Sequence, residues 1–277
     1  MKLRVPLPPG RTYEQIRNHY DVERALADKL RGSTRDERKT IYVTMYDELF
    51  AKVPDHPRLT RRNDAAMTRA ANRKKQRLLE GLLKPDKVVL EFGPGDCRFA
   101  TQISRRVKFV YGVDISDQTG SGPETPDNFE LIVYDGFDLS MPGDTVDIAF
   151  SDQLIEHFHP DDTLEHFRLV RRVLKPGGAY MFRTPHRFRG PADVSRYFCD
   201  EPQGFHLKEW TYGEIGWALR DAGFSKWRGY WSAKGRRIRM PHAYFAALEK
   251  ILPSLPRSLG RKAARLLLPN LVAVGVK

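Results

Sequence analysis

An α/β domain, with a mostly parallel sheet covered by helices on both faces, is the fold class that this sequence predicts. Three observations lead there. Short apolar runs alternate with helix-period stretches between residues 86 and 230, the pattern of parallel strands joined by crossover helices. The first run, Val88-Val89-Leu90-Glu91-Phe92, ends in the turn Gly93-Pro94-Gly95. The second run ends in an acid, Asp114, 21 residues after Gly93.

The elements follow in order. Residues 1–85 read as a helical N-terminal cap. Tyr13 to Leu30 carries Ile16, Tyr20, Leu26 and Leu30 near helical spacing, and Gly32-Ser33-Thr34 breaks it. Ile41 to Val53 and Asn63 to Leu83 are two more helices, closed by Pro54 and Pro85. Residues 86–277 form the second unit. Strands are expected at Lys87–Phe92, Phe109–Val113, Phe129–Tyr134, Val146–Phe150 and Ala179–Arg183. Helices are expected at Phe99–Val107 and Pro160–Leu174, the latter stopped by Lys175-Pro176-Gly177-Gly178. A helical insertion at about 236–268 precedes a last strand over 270–276.

Composition narrows the class. No run of 18 apolar residues occurs, so no spanning helix is expected. The opening MKLRVPLPPG has no continuous apolar stretch and does not read as a secretory signal. Cys97 and Cys199 are the only cysteines, which excludes a disulfide framework and a multi-cysteine zinc site and fits the cytoplasm. No metal-ligand set is expected. The net charge of +12 is clustered, chiefly over residues 58–77 and 226–239. Such clusters suit nucleic acid, anionic lipid or a phosphorylated substrate, or simply a solvated face.

The glycine turn carries the chemistry. Glycines there let the backbone bend sharply and a ligand approach closely. The following helix offers free N–H groups. Asp114, at the end of the second strand, is placed to accept hydrogen bonds from ribose hydroxyls. Nicotinamide enzymes share that logic. However, Glu91, the Gly-Pro-Gly turn and Asp135-Gly136-Phe137 do not suit a pyrophosphate cradle.

Four segments, in order, resemble the class I S-adenosylmethionine-dependent methyltransferases. They are Glu91-Phe92-Gly93-Pro94-Gly95, Tyr111-Gly112-Val113-Asp114-Ile115-Ser116, Val146 to Phe158, and Arg171 to Gly178. The resemblance spans about residues 80–230. It implies a Rossmann-like three-layer sandwich with a seven-stranded sheet whose last strand is antiparallel. It also implies S-adenosylmethionine as methyl donor, with S-adenosylhomocysteine as product. By that resemblance Gly93 and Gly95 lie against the aminoacyl part of the cofactor, and Glu91 near its ammonium. Asp114 holds the ribose, and Ile115 packs on adenine. Asp135 meets the adenine amino group, with Gly136 and Phe137 beside the ring. Ser151, Asp152 and Gln153 line the floor below the methionine part. Cys97 stands where many members have a third glycine.

The acceptor is less legible. A hydroxyl acceptor benefits from a general base. Three histidines are candidates: His206 first, in the long connection between the fifth strand and the next helix, then His157 and His186, after the carboxyl ends of the fourth and fifth strands. Each also has a bland reading, as helix cap, loop residue or lead into the helix after Thr211. Arg196, Tyr197 and Lys208 are candidate contacts to a sugar or phosphate. The long connection that holds them resembles, loosely, that of methyltransferases from bacterial polysaccharide gene clusters. The expected acceptor is therefore a small molecule or (phospho)glycan. The alternatives are an RNA or protein methyltransferase, or a cofactor-binding protein without catalysis. No Asn-Pro-Pro-Tyr-type motif and no separate RNA-binding fold is present, so nucleic acid is not favoured. The basic stretch 254–268 is amphipathic enough to touch an anionic membrane, though an insertion packed beside the sheet is preferred. Tyr13, Tyr20, Tyr42 and Tyr46 read as core packing ahead of a lid over the cofactor.

Overall fold

The computed structural model describes residues 1–62, 64–119, 125–233 and 236–277. Asn63, the expected start of the third helix, and Lys234 of the second basic cluster lie outside the described residues, as does the side chain of Arg236.

The expected sheet is present, with one strand more. Strands β1 (Val88–Phe92), β2 (Phe109–Asp114), β3 (Phe129–Val133), β4 (Val146–Asp152) and β5 (Leu174–Thr184) run parallel. Next come β6 (Lys226–Ala233), β7 (Arg236–Met240) and β8 (Leu271–Val276), giving the order β3-β2-β1-β4-β5-β8-β6-β7. The last strand is antiparallel to β5, as expected. The eighth strand, β7, pairs with β6 as an antiparallel hairpin. It occupies the start of the stretch read as a helical insertion. Its run Arg237-Ile238-Arg239-Met240 follows the two-residue period of a strand, which the charge run obscured.

Strand order reverses direction between β1 and β4, so the carboxyl ends of these two strands open a crevice where ligands of such sheets bind. The core lies on both faces of the sheet. One side joins Phe92, Phe167, Tyr180 and Phe182 to Ile215 and Leu219. The other joins Val89, Phe99, Val110 and Phe150 to Met181 and Val274. The covering helices include α5 (Arg98–Ser104), α6 (Pro160–Val173), α7 (Tyr212–Asp221), α8 (His242–Ile251) and α9 (Arg257–Leu267). Near the start of β5 the Lys-Pro-Gly-Gly run acts as a bulge inside the strand. Register shifts between Val146 and Ile148 opposite it. A Cβ on Gly178 would lie 2.8 Å from the Lys175 carbonyl oxygen, so no larger residue fits that close approach.

Before the sheet come α1 (Tyr13–Arg31), α2 (Arg35–Lys52), α3 (Pro57–Arg62) and α4 (Ala65–Leu78). Thr12 with Gln15, and Thr34 with Glu37, form reciprocal capping boxes that start α1 and α2. Ile16, Tyr20, Leu26, Tyr42, Tyr46 and Leu49 are buried, so three of the four tyrosines serve as packing. Arg38 ties α2 to α6 through both oxygens of Asp162, each at 2.7 Å, and the Tyr42 hydroxyl donates to the same carboxylate at 2.7 Å. Both side chains of the ion pair are almost fully buried. Among the described residues no helix is long and apolar enough to cross a membrane.

Removing one member of a buried ion pair strands the other charge. Asp162→Ala is therefore expected to lower unfolding free energy by about 3–5 kcal/mol, read as a shifted urea midpoint with an unchanged slope.

Candidate functional site

The turn after β1 has the backbone that its glycines allow. Gly93 and Gly95 sit at φ +67° and +60°, the left-handed region that disfavours larger residues. A Cβ on Gly93 would stand 3.1 Å from Leu154. Cys97, at φ 57°, is the N-cap of α5 without a side-chain cap bond. Its thiol is pushed up to about 12 by burial, so it is an inert packing group at neutral pH.

Asp114 reaches back across this turn. Its Oδ2 accepts from the Gly95 N–H at 2.9 Å, and its Oδ1 from the Ile115 N–H at 2.8 Å. Burial raises its carboxyl above the usual range. Each oxygen keeps a further lone pair for a ligand hydroxyl. Glu91 is fully buried at the end of β1. Lys75 of α4 donates to its Oε1 at 2.8 Å, while its Oε2 has no partner. An orphaned buried carboxylate oxygen is costly unless a ligand donor completes it.

The loop after β3 brings Asp135, Gly136 and Phe137 together. Asp135 Oδ1 accepts from the Phe137 and Asp138 N–H groups at 2.9 and 2.7 Å, and Lys39 lies 3.4 Å from its other oxygen. Gly136 has φ +91°, and a Cβ there would lie 3.2 Å from the Tyr42 ring. Phe137 lies in one apolar cluster with Tyr42 and Tyr46, and Ile115 packs against it. Thus α2 closes this side. Of the β4 segment, Ser151 is buried with its hydroxyl 2.7 Å from that of Tyr180. Asp152 is held in two bonds of 2.7 Å by Arg183. Their side chains are thus engaged within the fold. Gln153 follows at φ +58°.

Immediately after comes a buried polar cluster. Glu156, His157 and His206 bring ligating atoms within 4.8 Å of one another. His157 donates from Nδ1 to the Phe205 carbonyl at 2.8 Å, so its Nε2 is left to accept from Arg58 at 3.3 Å. Burial, with the cationic His206 and Arg58 nearby, holds His157 well below the usual imidazole range. His206 is the reverse case. Burial opposes its charge, but the Glu209 carboxylate at 2.9 Å and the neighbouring Glu156 and Asp193 outweigh it. Its imidazole is raised to about 9. Glu156 is raised to about 7 by burial. Its Oε2 accepts from Thr184 at 2.9 Å, and its Oε1 has no partner. A guanidinium so close to His157 Nε2 does not favour a metal there, and no metal chemistry is needed to account for the cluster.

Helix α3 spans the two halves. Arg58 reaches His157, and Arg62 comes within 3.5 Å of a Cβ on Gly95 while donating to Gln118. The chain connecting α2 to α4 therefore lies across the carboxyl edge of the sheet.

Other candidates stand apart. His186 is fully buried, with Nε2 2.9 Å from Glu249 and Nδ1 accepting from the Phe188 N–H at 3.2 Å. Nε2 fastens the end of β5 to α8, and Nδ1 closes the turn that follows. Tyr197 is buried in an apolar cluster with Ile16, Tyr20 and Phe198, and its hydroxyl accepts from Arg196 at 2.7 Å. Lys208 lies over the Trp210 ring at 4.0 Å. It lines a pocket of about 380 Å³ with Thr163, Leu164, Trp210, Glu214 and Trp217. Glu156, Glu209, Lys75 and Arg58 were not singled out by sequence. Glu156 alone left a signal, as an acid directly beside His157 after the fourth strand.

A methyltransferase domain family model matches residues 62–228, more than half of the chain, and the chain belongs to that family. It is a class I S-adenosylmethionine-dependent methyltransferase, with S-adenosylmethionine as its cofactor. No curated protein matches the chain. Among solved structures it is similar to 1,6-didemethyltoxoflavin-N1-methyltransferase of Burkholderia thailandensis, at 14% identity over 88% of this chain and 91% of that one, TM-score 0.53. It is also similar to an S-adenosylmethionine-dependent methyltransferase of Archaeoglobus fulgidus, at 15% identity over 76% and 94%, TM-score 0.50. A third is a chain of the Haloferax volcanii complex between the Trm112 methyltransferase activator and a methyltransferase, at 19% identity over 78% and 92%, TM-score 0.52. At these identities the likeness is one of fold.

The orphaned Glu91 oxygen and the spare lone pairs of Asp114 fit a ligand that carries an ammonium and a ribose. Asp114→Ala is expected to weaken S-adenosylmethionine binding at least about tenfold, the loss of two charge-assisted hydrogen bonds. Isothermal titration, with circular dichroism to confirm the fold, checks it.

Proposed function

We propose that this methyltransferase acts on a hydroxyl of a small molecule or (phospho)glycan, and that Glu156 and His206 together manage the proton released. The observation that carries the reading is the placement of this buried acid–imidazole pair directly after the β4 segment, beside the glycine turn. Glu91, Gly93, Gly95, Asp114, Ile115, Asp135, Gly136, Phe137 and the backbone of Ser151, Asp152 and Gln153 are the proposed cofactor contacts. Bound S-adenosylmethionine supplies an electrophilic methyl group on a sulfonium, which leaves as a neutral thioether.

The enzyme's task is then to align acceptor and methyl group and to take one proton. The acceptor hydroxyl would have to give up its proton as the bound cofactor's methyl group is transferred to its oxygen. Its proton passes to Glu156 Oε1, the unpartnered oxygen of the pair. His206 is the first-named candidate base, but its high affinity for a proton makes it an imidazolium at neutral pH. It therefore serves better to hold Glu156 ionised and to pass the proton onward through Glu209. His157, kept neutral and anchored to Phe205, positions the loop between them. Lys208 offers a cation to a phosphorylated acceptor, and with Trp217 it suits a sugar ring in the pocket they line, whereas Arg196 stands apart with Tyr197. The enzyme is expected to work without transmembrane anchoring, in the cytoplasm.

The decisive experiment is radiolabelled methyl transfer into fractionated extract with Asp114→Ala as control. Label in glycan or small-molecule fractions supports the reading, and label in RNA or protein overturns it. With a purified acceptor, kcat/KM is expected to rise with pH through about 7 as Glu156 ionises, and to fall above about 9 as His206 loses its proton. Glu156→Gln should cost about 10²-fold or more in kcat and abolish the acidic limb.

A further inference from the structure

One of the two basic clusters belongs to a strongly basic C-terminal segment. Residues 226–277 carry twelve Lys and Arg against one acid, Glu249. That acid is already engaged by His186 and by the Tyr212 N–H. The segment comprises β6, β7, α8, α9 and β8, on the far side of the sheet from the glycine turn.

Helix α9 divides sharply by face. Gly260, Ala264 and Leu268 are buried against the fold. Arg257 and Arg261 are neutralised by Asp200 and Glu201. The opposite face presents Leu259 and Leu266, seven residues apart and so on one stripe, 52% and 70% exposed. Lys262 and Arg265 flank them, exposed and without an acidic partner among the described residues. The stripe continues onto the sheet edge. Trp231 donates its indole N–H to the Leu266 carbonyl at 3.0 Å. Directly across the hairpin from Trp231 is Ile238, itself 52% exposed. Exposed large apolar side chains interleaved with unneutralised cations and a Trp are costly in water unless a partner covers them.

We propose that the outer face of α9 and the β6–β7 hairpin form a docking surface for an anionic lipid bilayer. The charge calls for a polyanion, and the leucines select which kind. Nucleic acid binding rests on phosphate contacts and gains little from projecting Leu and Ile side chains. A bilayer takes the apolar stripe below its headgroups while Lys262 and Arg265 remain at headgroup level. Helix α9 also packs on the Arg187–Arg189 turn after β5, at the edge of the sheet that carries the site. Docking through α9 would set that edge at a fixed orientation to the membrane, whatever the acceptor.

Co-sedimentation of the full chain with vesicles tests this. Binding is expected to phosphatidylcholine–phosphatidylglycerol vesicles and to be at least about tenfold weaker to phosphatidylcholine alone. Leu259→Glu with Leu266→Glu should reduce binding to the anionic vesicles at least about tenfold, with S-adenosylmethionine binding and thermal stability unchanged because both residues are exposed. Lys262→Glu with Arg265→Glu should do the same. Equal binding to both vesicle types, no binding to either, or full binding by the leucine variant overturns the proposal. Salt-sensitive binding to a homopolymeric RNA in place of vesicles, indifferent to the leucine substitutions, reassigns the surface to nucleic acid.

Discussion

Burying several carboxylates under one set of helices is the constraint on which much of this structure depends. Glu23, Glu156, Asp193 and Glu209 are all buried, and an ionised carboxylate out of water must find donors or give up its charge. Glu23 of α1 is met by His19 at 2.8 Å and by the Phe205 N–H at 3.1 Å. Burial works against its charge, yet those bonds and His56 hold it well below the usual range. That pairing fastens α1 to the loop that bears His206. Asp193 and Glu209 stiffen the same loop by accepting from the backbone N–H groups of Ser195, His206 and Ala192. The result is a long connection after β5 with little regular structure that is nonetheless fixed in place by compensated charge.

Within that framework Glu156 and Glu209 each keep one oxygen without a partner. Burial raises both Asp193 and Glu156, and Glu156, whose one side-chain donor is Thr184, is moved up to about 7. A group poised near physiological pH beside a cofactor crevice is suited to moving protons. The crevice itself follows from chain direction. Parallel strands β1 and β4 deliver the glycine turn and the Ser151–Gln153 segment to the same edge, and α3 lies across both. The proposed cofactor contacts and the proposed proton chemistry are therefore neighbours because adjacent strands end there.

The parts legible in the sequence are those dictated by local pattern. The parallel strands were readable because apolar runs with little alternation mark a sheet covered on both faces. The glycine turn and Asp114 were readable because spacing from strand to acid is set by one β-α-β unit. The cap of α7 was readable from Thr211. Strands β6 and β7 were not, because Lys226, Arg228, Arg237 and Arg239 made them look like a charged surface. The roles of the histidines were not readable either. Chain position placed His157 and His186 after strand ends and His206 in the long connection, but His186 is fastened to Glu249, 63 residues away. Its commitment depends on tertiary contacts. The Lys75–Glu91 and Arg58–His157 contacts likewise join the N-terminal helices to the sheet across distances that no local pattern encodes. Whether His206 is base or cation depends on Glu156, Asp193 and Glu209 together, which only the folded chain assembles.

The central claim is that the buried cluster separates the two adjacent imidazoles into one charged and one neutral form. Nitrogen-15 NMR of histidine-labelled protein, followed from pH 5 to pH 10 with His157→Gln and His206→Gln used for assignment, measures this directly. The account requires His206 to remain an imidazolium until about pH 9 and His157 to stay neutral, with its proton on Nδ1, throughout. Two imidazoles titrating together near the ordinary value of about 6.5 would contradict it.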